Sequence, residues 1–225
     1  MHTTVFPDPS KALSEPNGLL AVGGDLSVAT LEQAYKKGIF PWFNQEPILW
    51  WSPDPRAILY PDKMHISRSL KKFIRHSDYK ITLNTQFSAI ISNCATARTE
   101  GTWINSKMQN AFTELHEQHL AHSVEVWQQE KLVGGLYGVG LGRVFCGESM
   151  FSLQDNASKC ALLALCQHLL KYQFQVIDCQ IINPHTASLG AIEVERNAYL
   201  TLLNRYQDSQ PDPACWQQQE LVITL

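Results

Sequence analysis

Apolar side chains recur every three or four residues along six stretches of the chain, and this spacing predicts helices. In the first stretch Ser27 can cap the start, Leu31, Ala34 and Tyr35 form an apolar face, and Gly38 stands at the C-terminal end. The six predicted helices cover residues 27–38, 66–75, a segment from about 85, a segment from about 105, 156–172 and 195–206.

Alternation of apolar and polar residues predicts strands over 122–127, 131–139 and 143–151, joined by short polar or glycine turns. These strands would form an antiparallel meander. The apolar run 174–182 predicts a further, buried strand. We therefore expect an α+β fold with a mixed, mainly antiparallel sheet.

Most of the 11 prolines lie before residue 62, where the sequence predicts a loop-rich unit that is extended after Pro41. The composition changes after Pro61. We therefore predict a small N-terminal domain over 1–61 and a second, larger domain over 62–225.

The composition is that of a folded protein: 44% of the 225 residues are hydrophobic and 17% are charged. No window approaches the ~18 apolar residues of a spanning helix, and residues 1–10 lack the features of a secretion signal. We expect no membrane association and a cytoplasmic location. The six cysteines form no CxxC pair, so neither a disulfide framework nor a zinc site is expected.

The net charge of −3 predicts that any nucleic-acid binding depends on a local basic patch. The predicted helix 66–75 offers one, because Arg68, Lys71, Lys72 and Arg75 fall within an arc of about 100° opposite its apolar side. A solvated charged face explains this pattern, and so does a ridge that binds phosphates.

Two tryptophans lie in irregular segments, Trp42 after Pro41 and Trp103 before Ile104. Burial in the core is one role for such residues. Stacking on an unpaired nucleic-acid base is the other.

Two strands carry carboxylates among apolar neighbours. The alternation of the strand around Asp178 places Asp178 and Gln180 on one face, and Glu148 lies in the strand 143–151. Asp178 could be a structural group satisfied by backbone donors, or a site acid or base with an amide beside it. If Asp178 and Glu148 converge, they form a small acidic pocket.

Two other patterns fail their context tests. The glycine run 138–142 lies between strands and opens no helix, so a phosphate-binding loop is not expected. The histidines at 116, 119 and 122 do not form the HExxH metal motif, so a solvated helix end is expected there.

Nine short strings in order along the chain resemble the leucyl/phenylalanyl-tRNA–protein transferase family. They are EPNGLL (15–20), GGDL (23–26), GIFPWF (38–43), ILWWSPDPR (48–56), HISRS (65–69), EGTWI (100–104), GESMF (147–151), IDCQ (177–180) and HTASLG (185–190). The resemblance runs from about residue 15 to 206, with Leu136 where relatives often carry Met. The tail 207–225 is assigned no role.

The resemblance implies a GNAT-like catalytic domain and transfer of Leu or Phe, with Met as a further candidate. The donor would be an aminoacyl-tRNA, the acceptor an N-terminal Arg or Lys, and the product a protein marked for N-degron degradation. By the same resemblance, Asp178 would hold or deprotonate the amine with Gln180 beside it. Trp42 and Trp103 would sandwich the terminal adenine, Leu136 and Glu148 would help form the aminoacyl pocket, and the basic helix would bind acceptor-stem phosphates.

An aminoacyl ester is already activated, so the sequence predicts neither a cofactor nor a metal. Two other classes explain part of the pattern. An acyl-CoA-dependent acetyltransferase would need a glycine-rich loop, but the sequence before the helix 156–172 is SLQDNA (152–157). A noncatalytic RNA-binding module would leave Asp178 and Gln180 without a function.

Overall fold

The computed structural model describes residues 5–97 and 103–225. These residues form seven α-helices and eleven strands. The helices are α1 (Val28–Lys36), α2 (Arg68–His76), α3 (Phe87–Thr96), α4 (Ser106–Glu117), α5 (Ala157–Lys171), α6 (Pro184–Ser188) and α7 (Arg196–Tyr206). The strands are β1 (Leu19–Val22), β2 (Phe40–Pro41), β3 (Leu49–Trp51), β4 (Arg56–Leu59), β5 (Lys80–Leu83), β6 (Ala121–Gln128), β7 (Lys131–Leu141), β8 (Val144–Ser152), β9 (Val176–Gln180), β10 (Ile192–Val194) and β11 (Gln219–Leu221).

The strands form a three-stranded sheet, β1-β3-β2, and an eight-stranded sheet, β10-β4-β9-β8-β7-β6-β5-β11. In the large sheet only β8 and β9 pair in parallel, and α5 connects them along the chain. A helical crossover is the usual connection between parallel neighbours. The predicted α+β class with a mixed, mainly antiparallel sheet is confirmed, and it agrees with the expected GNAT-like domain.

Side-chain oxygens cap the start of three of the predicted helices. Ser27, Ser67 and Asn105 each accept a hydrogen bond from a backbone N–H in the first turn of α1, α2 and α4. The cap at Ser67 places the start of α2 two residues later than the apolar pattern indicates. Gly38 follows α1 at φ +70°, and a Cβ there would collide with Leu200.

The large sheet separates two hydrophobic cores. Adjacent residues on one strand belong to different cores, as Cys146 and Phe145 do on β8, because successive side chains point to opposite faces. Helices α1, α3 and α4 pack with the first core, and α5 packs with the second. A site between two strands can therefore be lined by side chains from both cores.

The strand β4 belongs to the large sheet, since it pairs with β9. It precedes the predicted domain boundary at residue 61, and that boundary stays a prediction. The C-terminal tail forms the edge strand β11, which pairs with β5. Trp216 in this tail stacks on His122 at 3.7 Å between ring centroids, so the tail covers one end of the sheet.

The six cysteines all lie within the described ranges and are free thiols. The described side chains contain no group of three or more His, Cys, Asp or Glu placed to hold a metal ion. Of the helices in the described ranges, none combines the length and hydropathy needed to cross a bilayer.

Candidate active site

A cavity of about 450 Å³ lies where β8 and β9 separate. Their parallel pairing stops at Cys146 and Asp178, although both strands continue. Residues beyond this point, including Glu148 and Gln180, line the cavity. The opening between the two strands thus gives a ligand access to groups that continuous pairing would cover.

Most of the cavity wall is apolar and comes from several elements. Leu136 on β7 is 3% exposed and lines the cavity, and its role in an aminoacyl pocket stays a prediction. The other apolar lining side chains include Leu59, Phe145, Leu162, Leu165, Ile177 and Leu189. Such a wall suits an apolar side chain of a ligand.

Both tryptophans singled out in the sequence also line the cavity. Trp42 is 42% exposed, and its backbone carbonyl accepts a hydrogen bond from Trp51 Nε1 at 2.7 Å. Trp103 is partly buried, while residues 100–102 of its motif lie outside the described residues. The stacking of a base between the two rings stays a prediction.

Asp178 is fully buried in an ion pair with Arg56 of β4. Arg56 Nε donates to Oδ1 at 2.8 Å and Nη2 donates to Oδ2 at 2.7 Å. The Tyr199 hydroxyl donates to Oδ2 at 2.9 Å, and the backbone N–H of Gln180 donates to Oδ1 at 2.9 Å. Each carboxylate oxygen therefore accepts two hydrogen bonds, and Asp178 is not part of the cavity lining.

Arg56 is 1% exposed, and its Nη1 donates to the carbonyl of Gly38 at 3.1 Å. Burial alone would lower the pKa of its guanidinium, but the charge and hydrogen bonds of Asp178 outweigh burial and raise that pKa. The guanidinium also lies over the rings of Phe40 and Tyr199, at 4.9 and 4.7 Å from their centroids. The ion pair thus connects β4 to β9, α7 and the turn after α1.

The contacts of Gln180 explain what the Asp178 ion pair does for the cavity. Gln180 has φ +63°, an uncommon conformation for a residue other than glycine. The hydrogen bond from its N–H to Asp178 holds that conformation, and its Nε2 donates to Glu148 Oε1 at 2.8 Å. Asp178 therefore aims the Gln180 amide at Glu148.

Glu148 is 8% exposed and lies in a different electrostatic environment. The Tyr35 hydroxyl donates to its Oε1 at 2.7 Å. Burial raises the pKa of Glu148 to about 8, and the charge of Asp178 adds to this, against the hydrogen bonds from Tyr35 and Gln180 and the charge of Arg56. Near neutral pH the cavity therefore contains a carboxyl group that can both give and take a proton.

The predicted basic helix lies on the surface as α2. Arg68, Lys71, Lys72 and Arg75 are exposed, and the structure shows no ion pair to any of them among the described residues. Its function as a phosphate-binding ridge stays a prediction.

The sequence predicts no catalytic or binding role for Arg56, Tyr199 or Tyr35. The sequence does offer a signal for Arg56, because a basic residue begins the otherwise apolar run Arg56–Leu59. Tyr35 looks like one more residue of an apolar helix face, and the sequence offers no signal for Tyr199.

The fold and the site define a class of protein. It has an α+β fold and a mainly apolar cavity where two parallel strands separate, and a buried ion pair holds a residue whose side-chain amide binds a carboxyl group in the cavity wall. This arrangement can bind an apolar acyl group and handle the proton of a reacting amine.

Comparison with known proteins identifies the family. Residues 58–204 match the model of the leucyl/phenylalanyl-tRNA protein transferase family, and residues 24–54 match the model of its N-terminal domain. The leucyl/phenylalanyl-tRNA–protein transferase of Pectobacterium carotovorum subsp. carotovorum (strain PC1) is 58% identical over 217 residues, which cover 96% of this chain and 93% of that protein. The protein of the same name from Yersinia pestis bv. Antiqua (strain Antiqua) is 57% identical over 97% of this chain and 84% of its own length.

The chain therefore belongs to the leucyl/phenylalanyl-tRNA–protein transferase family, and the protein is an aminoacyltransferase. Among solved structures, a conserved protein of unknown function from Staphylococcus epidermidis ATCC 12228 aligns with a TM-score of 0.43 at 10% identity, over 79% of this chain and 68% of that one. That likeness is too weak to carry an argument.

Proposed function

We propose that this protein transfers Leu or Phe, with Met as a further candidate donor residue, from aminoacyl-tRNA to the N-terminal Arg or Lys of acceptor proteins. The product is a peptide bond, and the modified protein becomes a substrate for N-degron degradation. The observation that carries the proposal is the cavity of about 450 Å³, whose mainly apolar wall also includes Gln180 and Glu148. It offers space for an apolar side chain next to groups that can position an amine.

Each predicted site residue has a role in this proposal. Leu136 and Glu148 help form the aminoacyl pocket, and Trp42 and Trp103 stack on the terminal adenine of the tRNA. The four basic residues of α2 bind acceptor-stem phosphates. Gln180 orients the reacting groups, and Asp178 acts on the amine through Gln180, since both its oxygens are occupied.

The chemistry needs few components. The aminoacyl ester is activated before it arrives, so attack by a neutral amine needs positioning, proton removal and stabilisation of charge. No cofactor or metal enters this proposal. We keep the cytoplasm as the predicted location because both proposed substrates, aminoacyl-tRNA and nascent or cleaved proteins, occur there.

The experiment is incubation of the protein with leucyl-tRNA and a peptide that begins with Arg, without acetyl-CoA. We expect a new amide between Leu and the peptide, detected by mass spectrometry. The matched control is the same peptide with an acetylated N-terminus, which has no free amine and should remain unmodified. Absence of transfer to the free peptide, or acetylation of it only when acetyl-CoA is added, would overturn the proposed function.

A further inference from the structure

The two oxygens of Glu148 have different surroundings. Oε1 accepts hydrogen bonds from the Tyr35 hydroxyl at 2.7 Å and from Gln180 Nε2 at 2.8 Å. Oε2 is buried, yet it has no hydrogen-bond partner among the described residues. A buried polar atom without a partner is unfavourable, so its persistence in a cavity wall calls for a ligand. Glu148 is one of the residues that line the cavity.

Several titratable side chains lie around Glu148 or line the cavity with it. Those around Glu148 come from α1, β4, β7, β8, β9 and α7 and are Tyr35, Arg56, Tyr137, Cys146, Asp178 and Tyr199. Cys179 and His185 also line the cavity, and burial lowers the pKa of His185. Arg56 and Asp178 are paired with each other. Burial, with the charge of neighbouring acidic groups, raises the pKa of the Tyr35, Tyr199 and Cys146 side chains well above their ordinary values, which leaves these three protonated.

We propose that Glu148 is a further catalytic residue, whose Oε2 accepts a proton from the α-amine of the acceptor and delivers it to the leaving oxygen of the tRNA. This inference rests on the proposed function, since it names the group that moves the proton in that reaction. The Tyr35 and Gln180 hydrogen bonds hold Oε1, so they fix which oxygen faces the substrate.

The step balances without a further reactant. The lone pair of the neutral amine forms the new N–C bond, and the ester C–O bond breaks with its electron pair on the ribose oxygen. One N–H proton moves to Oε2 and from there to the ribose oxygen. The products are an amide and a free ribose hydroxyl, and Glu148 returns to its carboxylate form.

The electrostatics of the site suit this role. A proton carrier works best when its pKa lies near the operating pH, and burial raises the pKa of Glu148 to about 8. The carboxylate fraction, which can accept the proton, therefore increases as the pH rises through about 8. The α-amine of a peptide ordinarily has a pKa of about 7.7–8.0, so the neutral amine that attacks the ester is populated in the same pH range.

The first test is Glu148→Gln in a single-turnover transfer assay with leucyl-tRNA and an Arg-initiated peptide. The amide oxygen of Gln can still accept the hydrogen bonds from Tyr35 and Gln180, but the side chain cannot carry a proton. We expect a loss of about 10²-fold or more in the transfer rate, with binding of leucyl-tRNA within a few fold of the wild type. A folded variant that transfers at close to the wild-type rate would overturn the inference.

The second test separates a proton carrier from a structural residue. Tyr35→Phe removes a hydrogen bond that lowers the pKa of Glu148, so the midpoint of the pH–rate profile should move upward by about 0.5–1 pH unit. The α-amine of the peptide also titrates in this range, but its pKa in solution is the same for both proteins. A rate that falls equally at every pH, without a shift of the midpoint, would contradict proton transfer by Glu148.

The outcomes also distinguish this inference from the proposed function. If the wild-type protein transfers no Leu at any pH, the proposed function is wrong. If it transfers Leu and both variants behave as wild type, the reaction stands and only the role of Glu148 is wrong.

Discussion

Asp178 and Glu148 lie on neighbouring strands where the sheet opens, but their surroundings are opposite. Asp178 forms an ion pair with Arg56 and accepts four hydrogen bonds, and it does not line the cavity. Glu148 has hydrogen bonds on one oxygen only and lines the cavity. A buried carboxylate is therefore not by itself a catalytic group, because its partners decide whether it can exchange a proton.

The two residues are also connected. Gln180 is held in its backbone conformation by Asp178 and donates its side-chain amide to Glu148. We therefore assign positioning to Asp178 and proton transfer to Glu148. Substitutions test this division of roles and the rest of the proposed site.

The largest effect on stability is expected from Arg56→Met, which leaves the Asp178 charge buried without its partner. Removing one member of a buried ion pair destabilises a protein by about 3–5 kcal/mol, and urea denaturation measures this. The matched control is Lys36→Met, which breaks the exposed ion pair to Glu32 and should change stability by about 0.5 kcal/mol or less. Equal effects of the two substitutions would show that the Arg56 pair does not hold the site together.

Asp178→Asn should lower single-turnover transfer by about 10²-fold, near 2.7 kcal/mol in the barrier, with the affinity for aminoacyl-tRNA nearly intact. Because Asp178 acts through Gln180, combining it with Gln180→Ala should cost less than the product of the two single losses. Tyr199→Phe is the control, since it removes one hydrogen bond to Asp178 and keeps the charge. A folded Asp178→Asn protein that transfers within a few fold of wild type would remove Asp178 from the mechanism.

Leu136→Trp should reduce transfer of Phe more than transfer of Leu, because overfilling an apolar pocket rejects the larger side chain first. The difference expected is about 1–3 kcal/mol in the ratio of kcat/KM values. Leu136→Met conserves volume and should retain both donors. Equal losses for Leu and Phe in the Trp variant would place Leu136 away from the aminoacyl side chain.

The smallest effect concerns the surface of α2. Lys71→Glu combined with Arg75→Glu should weaken tRNA binding and reduce the slope of log K against log salt by about 0.7–0.9 for each phosphate that the helix no longer binds. Lys80→Glu with Lys131→Glu changes the net charge equally on exposed residues elsewhere. If both pairs alter the slope alike, α2 is only a solvated charged face.

The sequence predicted the elements whose determinants are local. Ser27, Ser67 and Asn105 set the starts of three helices through caps that lie within three residues of their partners. The strands β5, β10 and β11 escaped prediction because each is three or four residues long and forms only against a strand distant in sequence.

The site shows the same limit. The sequence identifies Gln180, Glu148 and Leu136 as candidate site residues. It does not predict the cavity, which exists because the pairing of β8 with β9 stops at Asp178, and no local pattern encodes that stop. The partner of Asp178 stands 122 positions earlier in the chain, and only the tertiary fold brings Arg56 to it.

Titration of the Glu148 carboxyl carbon by NMR, in protein labelled with ¹³C-glutamate, tests the division between the two carboxylates most directly. The spectrum of Glu148→Gln identifies the resonance. We predict a midpoint near pH 8, because burial and the charge of Asp178 disfavour the ionised form. A midpoint near 4.5, the ordinary value for glutamate, would mean that Glu148 is ionised at neutral pH like an exposed carboxylate, and would contradict the assignment of proton transfer to this residue.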